Sequence, residues 1–355
     1  MVKSTHKAEV VPVILEEHPN ADLLSIVKVY GYTCVVRTQD FSGVDKGVYI
    51  TPDTLVPDTE PFHFLFKEGS GKRYNVIDTG ECIKDKFGSY YRITVNRYRG
   101  VLSQGLLLPV SDDVALGTDL AEYYGITRYE PFLGTAGGER AAPPRGIYVP
   151  VYDVDSLNRY TDIFIPGEMV SVSEKINGEN WRCVFHDGEL HVGSHTTWKK
   201  REPENLWWKL LTWEPSVEEF CRQHPDVVVY AESYGGVGGF SYNIPPGTRR
   251  LAVFDLLYEG EWMNVHEVRA FGKDLPWVAL LDEIPFDIET IRDLAEGDSA
   301  IAGVENIREG CIVKPLIERT HPEIGRVQLK LVSNTYLEGK GKSRKKKGSL
   351  IIPVI

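Results

Sequence analysis

The run Glu168-Met-Val-Ser-Val-Ser173 alternates apolar and polar residues and leads directly into Glu174-Lys-Ile-Asn-Gly-Glu-Asn180. A period of two fits a half-buried strand and does not fit a helix. Asn-Gly is a turn signal. Lys175 therefore stands at a strand end. Two readings are open there: an exposed lysine beside a hairpin turn, or an amine held for nucleophilic chemistry.

Four more short patterns, each carrying a charged residue, follow in order. Val229-Tyr-Ala-Glu-Ser-Tyr-Gly-Gly236 ends in an acid and a glycine turn. Leu251-Ala-Val-Phe-Asp-Leu-Leu257 is apolar apart from Asp255. Glu309-Gly-Cys-Ile-Val-Lys-Pro315 brackets an apolar run with an acid and a lysine. Val327-Gln-Leu-Lys-Leu-Val332 alternates, with Lys330 on its polar face. Helical periodicity is confined to a few segments. They include Pro215–Arg222 and Asp287–Glu296, where Ile288, Ile291 and Leu294 share a face.

The first third is different in texture. Short strand-like runs such as Val10–Leu15, Leu24–Tyr30, Thr33–Arg37, Gly47–Thr51 and Tyr90–Asn96 are punctuated by Gly, Asp and Asn, the pattern of a small barrel. Periodicity is lost over 126–150, where Thr135-Ala-Gly-Gly-Glu-Arg-Ala-Ala-Pro-Pro-Arg-Gly146 reads as a linker. A chain of 355 residues favours two domains. The expected division is a β-barrel over 1–125, a linker over 126–150 and an α+β domain of antiparallel sheets with helices over 151–355.

Composition excludes several classes. A net charge of −11 argues against binding nucleic acid through bulk charge. The exception is Lys340-Gly-Lys-Ser-Arg-Lys-Lys-Lys347, which is either a solvated tail or a phosphate contact through residues such as Lys340 and Lys342. The five cysteines show no CxxC spacing, which fits a reducing compartment and argues against a structural zinc site. No apolar run is long enough to span a membrane and no signal peptide is apparent, so a cytoplasmic protein is expected. His186, His191 and His195 have spacings that scatter them over both faces of a strand. Glu68-Gly-Ser-Gly-Lys-Arg73 lacks the frame of a phosphate loop, and Gly235–Gly239 lacks the βαβ setting of a dinucleotide fingerprint.

The ordered motifs from Lys175 to Lys330 resemble those of the covalent nucleotidyltransferases, the ATP-dependent ligases and mRNA capping enzymes. His18-Pro-Asn-Ala-Asp22 resembles the opening of OB-type tRNA-binding modules. An OB module placed before the catalytic domain is similar to the RNA ligase family typified by the Deinococcus and Naegleria enzymes. Arg99–Pro109 and Gly125–Pro131 also resemble that family's N-terminal segment. The resemblance implies an N-terminal OB-type β-barrel followed by a nucleotidyltransferase domain. It implies an enzyme that seals 3′-hydroxyl and 5′-phosphate RNA ends through a lysyl-AMP, using ATP with Mg2+ or Mn2+. RNA, as a nicked duplex or broken strand ends, is the implied partner, and a monomer is expected.

Carried over residue by residue, Lys175 is the nucleophile, assisted by Lys314 and Lys330. Glu174, Ile176, Gly178, Glu232, Phe254, Glu309, Lys314 and Lys330 would hold the nucleotide. Glu232, Glu309 and Asn177 would hold the metal, with Glu232 alternatively on the ribose. Arg182, His195 and Lys199 would meet RNA. The chain departs from the family pattern at three places. Asn177 stands where Asp is common, Gln328 stands where a first lysine is common, and 193–200 lacks the usual arginine. A GTP-using capping enzyme and a non-catalytic RNA-binding protein with a degenerate transferase fold are the alternative classes.

Overall fold

The computed structural model describes residues 8–67, 71–77, 80, 82–111, 113–129, 138–237, 239–301, 303 and 306–339. The chain divides into two units, Met1–Gly134 with Asn158–Thr161, and Thr135–Leu157 with Asp162–Ile355.

The first unit is built from short antiparallel strands. Lys46–Ile50 lies between Ala8–Pro12 and Leu106–Pro109. Leu24–Val29 and Tyr32–Arg37 form a hairpin, and a five-stranded sheet joins Thr54–Pro57, Tyr90–Arg92, Arg73–Val76, Cys82–Lys84 and Thr127–Arg128. Val11, Val27, Val29, Cys34, Phe41 and Tyr49 pack into one core, as alternation predicts. His18-Pro-Asn-Ala-Asp22 acts here as a fastening. The His18 ring accepts from the Asn20 N–H at 3.1 Å and reaches the Tyr98 carbonyl at 3.2 Å. The Asn20 amide donates to the Arg99 carbonyl at 3.0 Å, so both residues pin the Tyr98–Gly100 turn.

The second unit is built on two sheets. A seven-stranded sheet runs Arg140–Ala141, Trp198–Lys199, Glu189–Ser194, Gly178–His186, Val228–Tyr234, Arg250–Tyr258 and Glu261–Trp262. A five-stranded sheet runs Asp155–Ser156, Leu329–Val332, Gly310–Pro315, Met169–Lys175 and Leu280–Pro285. The helices Leu206–Trp213 and Pro215–Gln223 cover one face of the larger sheet. Trp207, Leu210, Leu211, Val217 and Cys221 pack there on Trp181, Cys183, Val229, Ala231, Leu251 and Val253. The expected helices at 215–222 and 287–296 are present; the helices Leu206–Trp213 and Val265–Phe271 are additional.

The Asn177-Gly178 step is not a hairpin turn. The strand ending at Lys175 belongs to the five-stranded sheet, and the strand beginning at Gly178 belongs to the seven-stranded one. Between them Ile176 and Asn177 carry the chain across, both buried.

Candidate active site

Ladder register places the three motif lysines on one face. Ser171, Ser173 and Lys175 pair with Lys314, Ile312 and Gly310, and Ile312 pairs on its other side with Lys330. Directly paired residues of an antiparallel ladder share a face. Lys175, Lys314 and Lys330 therefore project from the same side of the five-stranded sheet. Val170, Val172, Cys311 and Val313 project to the other side and are buried. A Cβ at Gly310 would lie 2.0 Å from the Leu331 carbonyl oxygen, so the Glu-Gly pair is fixed by backbone approach.

The seven-stranded sheet supplies the opposing groups. Gly178, Asn180 and Arg182 pair with Tyr234, Glu232 and Tyr230. Register then slips between Tyr230 and Ala231, which face Asp255 and Val253, leaving Phe254 as an extra residue. A bulge re-aims side chains. Here Phe254 and Asp255, though consecutive, both turn to the site face, while Val253 and Leu256 enter the helix-packed core. The Phe254 ring lies 4.7 Å from that of Tyr152.

Lys175 donates from Nζ to Glu309 Oε1 at 2.7 Å. Glu232 keeps some exposed surface, but its carboxyl is enclosed. Burial raises its pKa to about 8; Glu309 and Glu179 add to the effect and Lys175 opposes it. Asn180, paired with Glu232, has a buried Oδ1 that no described group meets. A Cβ on Gly178 would fall 2.4 Å from the Ser233 carbonyl oxygen and 2.7 Å from Glu232 Cγ, so the glycine lets the Glu232 strand approach.

At the other end, Asp255 is 1% exposed and accepts at Oδ2 from Lys314 Nζ at 2.5 Å and Arg326 Nη1 at 2.7 Å. Burial pushes its carboxyl up, but Arg326 and Lys314 outweigh burial and hold it at about 2. Lys314 is lowered from the usual lysine range, by burial first, with Asp255 opposing.

Several expected contacts fall elsewhere. Glu174 projects to the opposite face from Lys175; it is 2% exposed, and its Oε2 accepts from the Ala300 N–H at 2.8 Å. Strand alternation alone dictates that result. The Ile176 side chain is core, packed with Phe240, Tyr242, Ala252 and Val278. The Asn177 amide is engaged as a brace rather than as a metal ligand: Nδ2 donates to the Val237 carbonyl at 3.0 Å, and Oδ1 accepts from the Tyr336 hydroxyl at 3.1 Å. Arg182 is 3% exposed with its guanidinium 4.6 Å from the Trp198 ring, so it is closed to a polynucleotide. His195 reaches Asp153 at 3.1 Å, and Lys199 lies over Trp207 at 4.7 Å. Lys340, Lys342 and the rest of the basic tract lie outside the described residues, as do 68–70 and Gly238.

Asn180, Tyr152 and Arg326 carried no signal in the sequence reading. Asn180 could have been found by pairing Gly178–Asn180 against the Glu232 strand; Arg326 lies in a two-residue strand with no pattern to read. Among the described residues no three His, Cys, Asp or Glu side chains form a metal-holding group. A cavity of about 500 Å3, not lined by Lys175, Lys314 or Lys330, is lined in part by Arg145, His191, Lys199, Lys200, Arg201 and Trp208.

Two sheets thus meet at a strand-end lysine, with acids and further lysines on their site faces. Residues 168–332 match the RNA ligase family model, and 9–110 match an OB-fold domain. Among solved structures, the Naegleria gruberi RNA ligase with PPi aligns over 95% of this chain and 99% of its own, with a TM-score of 0.77 at 22% identity. A mutant of that ligase with ATP and Mn aligns over 93% and 98%, with a TM-score of 0.76 at 21% identity. Another, with AMP and Mn, gives the same coverage, score and identity. At this identity the likeness is one of fold. No curated protein sequence matches the chain.

Proposed function

We propose that this protein is an ATP-dependent RNA ligase that works through a lysyl-AMP on Lys175. The observation that carries the reading is the Lys175–Glu309 ion pair at the sheet crossing, with Lys314 and Lys330 on the same face. In the free protein Nζ is engaged by that carboxylate. Lys175 becomes a nucleophile when its proton leaves, which nearby positive charge favours. Lys314 and Lys330 stabilise charge that develops on the α-phosphate oxygens as pyrophosphate departs. Phe254 offers a ring to adenine. AMP then passes to a 5′-phosphate, and a 3′-hydroxyl displaces it. Each step is an in-line attack at phosphorus, so one set of cations serves all three.

The residues fit a divalent ion. Glu232, an enclosed acid with a raised pKa, and Asn180 Oδ1, a buried oxygen without a partner, are paired across the ladder, and Glu309 stands on the facing sheet. Mg2+ or Mn2+ bound to phosphate takes few protein oxygens and several waters, and it neutralises phosphate charge. RNA contact is assigned to the groove lined by Lys199, Lys200 and Arg201, whose Trp208 lies 5.1 Å from the Arg201 guanidinium. We further propose a cytoplasmic monomer; the five cysteines are free and buried, as a reducing compartment permits. Among the described residues no helix is long and apolar enough to cross a membrane.

Label transfer tests the reading. Protein incubated with α-labelled ATP or GTP and Mg2+ or Mn2+, then denatured, should carry label from ATP alone. Label from GTP would move it to the capping class. No label with any metal would leave an RNA-binding role.

A further inference from the structure

We propose that Asp255 is a positioning residue. Braced by Arg326, its carboxylate holds the Lys314 ammonium charged and aimed at the nucleotide face. The proposal rests on the reading above, in which Lys314 meets phosphate.

Three donors converge on one oxygen. Asp255 Oδ2 lies 2.5 Å from Lys314 Nζ, 2.7 Å from Arg326 Nη1 and 2.6 Å from the Tyr152 hydroxyl. Oδ1 accepts from the Leu256 N–H at 3.1 Å, so the carboxylate has no freedom to turn. Arg326 is fixed in its turn. Its Nε donates to Glu318 Oε2 at 2.9 Å, and its guanidinium lies 4.0 Å from the Trp262 ring centre. Two cations and two acids close the charge. Gln328, 5% exposed, completes the cluster as a neutral group, its Oε1 2.6 Å from the Tyr152 hydroxyl. A third cation at 328 would be buried without an acid to match it.

An ammonium has three N–H donors. Lys314 directs one at Asp255, and another lies 3.5 Å from the Phe254 carbonyl, which leaves the third for a ligand. The titratable or charged groups facing Lys314 are Asp255 on the strand Arg250–Tyr258 of the other sheet, Arg326, Glu318 and Tyr152. Burial favours the neutral amine and Asp255 opposes it. The two lysines of one face thus have opposite needs. Lys175 must lose its proton to attack, while Lys314 must keep its own to stabilise phosphate charge.

The test is the pH profile of protein labelling by α-labelled ATP. Asp255→Asn preserves shape and removes the charge. Labelling should fall about tenfold, and its alkaline limb should move about one pH unit lower. Adding Lys314→Arg to Asp255→Asn should return the limb toward high pH, since guanidinium does not titrate there. Arg326→Gln removes a cation that lowers Lys314, so its limb should move upward; this variant also serves if Asp255→Asn does not fold. An unmoved limb in folded Asp255→Asn, or a downward shift in Arg326→Gln, would overturn the proposal. Wild-type protein that takes no label from ATP would overturn the ligase reading, and this proposal with it.

Discussion

Glu232 and Asp255 lie on adjacent strands of one sheet and face the same way, yet their environments push them in opposite directions. Glu232 is raised to about 8 because enclosure outweighs its one cation, Lys175. Asp255 is held at about 2 because two cations share its oxygen. The Asp255 end is complete in itself, with every charge matched. The Glu232 end is short of positive charge and contains an oxygen, Asn180 Oδ1, with no partner among the described residues. That asymmetry matches the proposed division between a place that receives a cation and one that holds a side chain.

The comparison can be broken at several points. Lys175→Ala should abolish labelling by ATP while melting stays close to wild type; residual label on the folded variant would reject the nucleophile. Glu309→Gln and Glu232→Gln should each reduce labelling roughly a hundredfold, as removal of transition-state charge stabilisation does. Raising Mn2+ should restore part of it.

Glu232→Gln also has a sign that can be checked by melting. A carboxyl raised from about 4.3 when unfolded binds more protons in the folded state. Wild-type stability therefore falls between that pH and about 8. Glu232→Gln lacks this loss, so its melting temperature should gain on wild type across that window, by roughly 4 °C at the top. A constant difference would mean that the site is not short of charge. Asp255 gives the opposite slope: its contribution is present above about 3.9 and is lost as pH falls through about 2.

Smaller effects sharpen the boundaries. Gly178→Ala forces a methyl against Ser233 and Glu232, so it should lower labelling more than it lowers stability. Lys199→Ala and Arg201→Ala should leave labelling intact and weaken RNA binding, each reducing the salt slope by about one. An unchanged slope would place RNA elsewhere.

Much of this was legible in the sequence because motif order and strand period are local properties. Alternation located the strands of Lys175 and Lys330, an apolar run and a glycine turn those of Lys314 and Glu232, and periodicity the helices expected at 215–222 and 287–296. What alternation could not show was which strands belong together. The Asn-Gly turn signal suggested a hairpin, but tertiary context carried the chain between sheets instead. Nor does composition reveal a bulge. Phe254 and Asp255 should point apart by period two, and only the slipped register turns both inward. Asn177, an expected ligand, is a brace because the Tyr336 and Val237 partners lie 159 and 60 residues away.

The two-residue crossing at Ile176-Asn177 works like the spine of a book. The two sheets are sewn together beside the nucleophile, so the position of Lys175 is tied to both sheets at once.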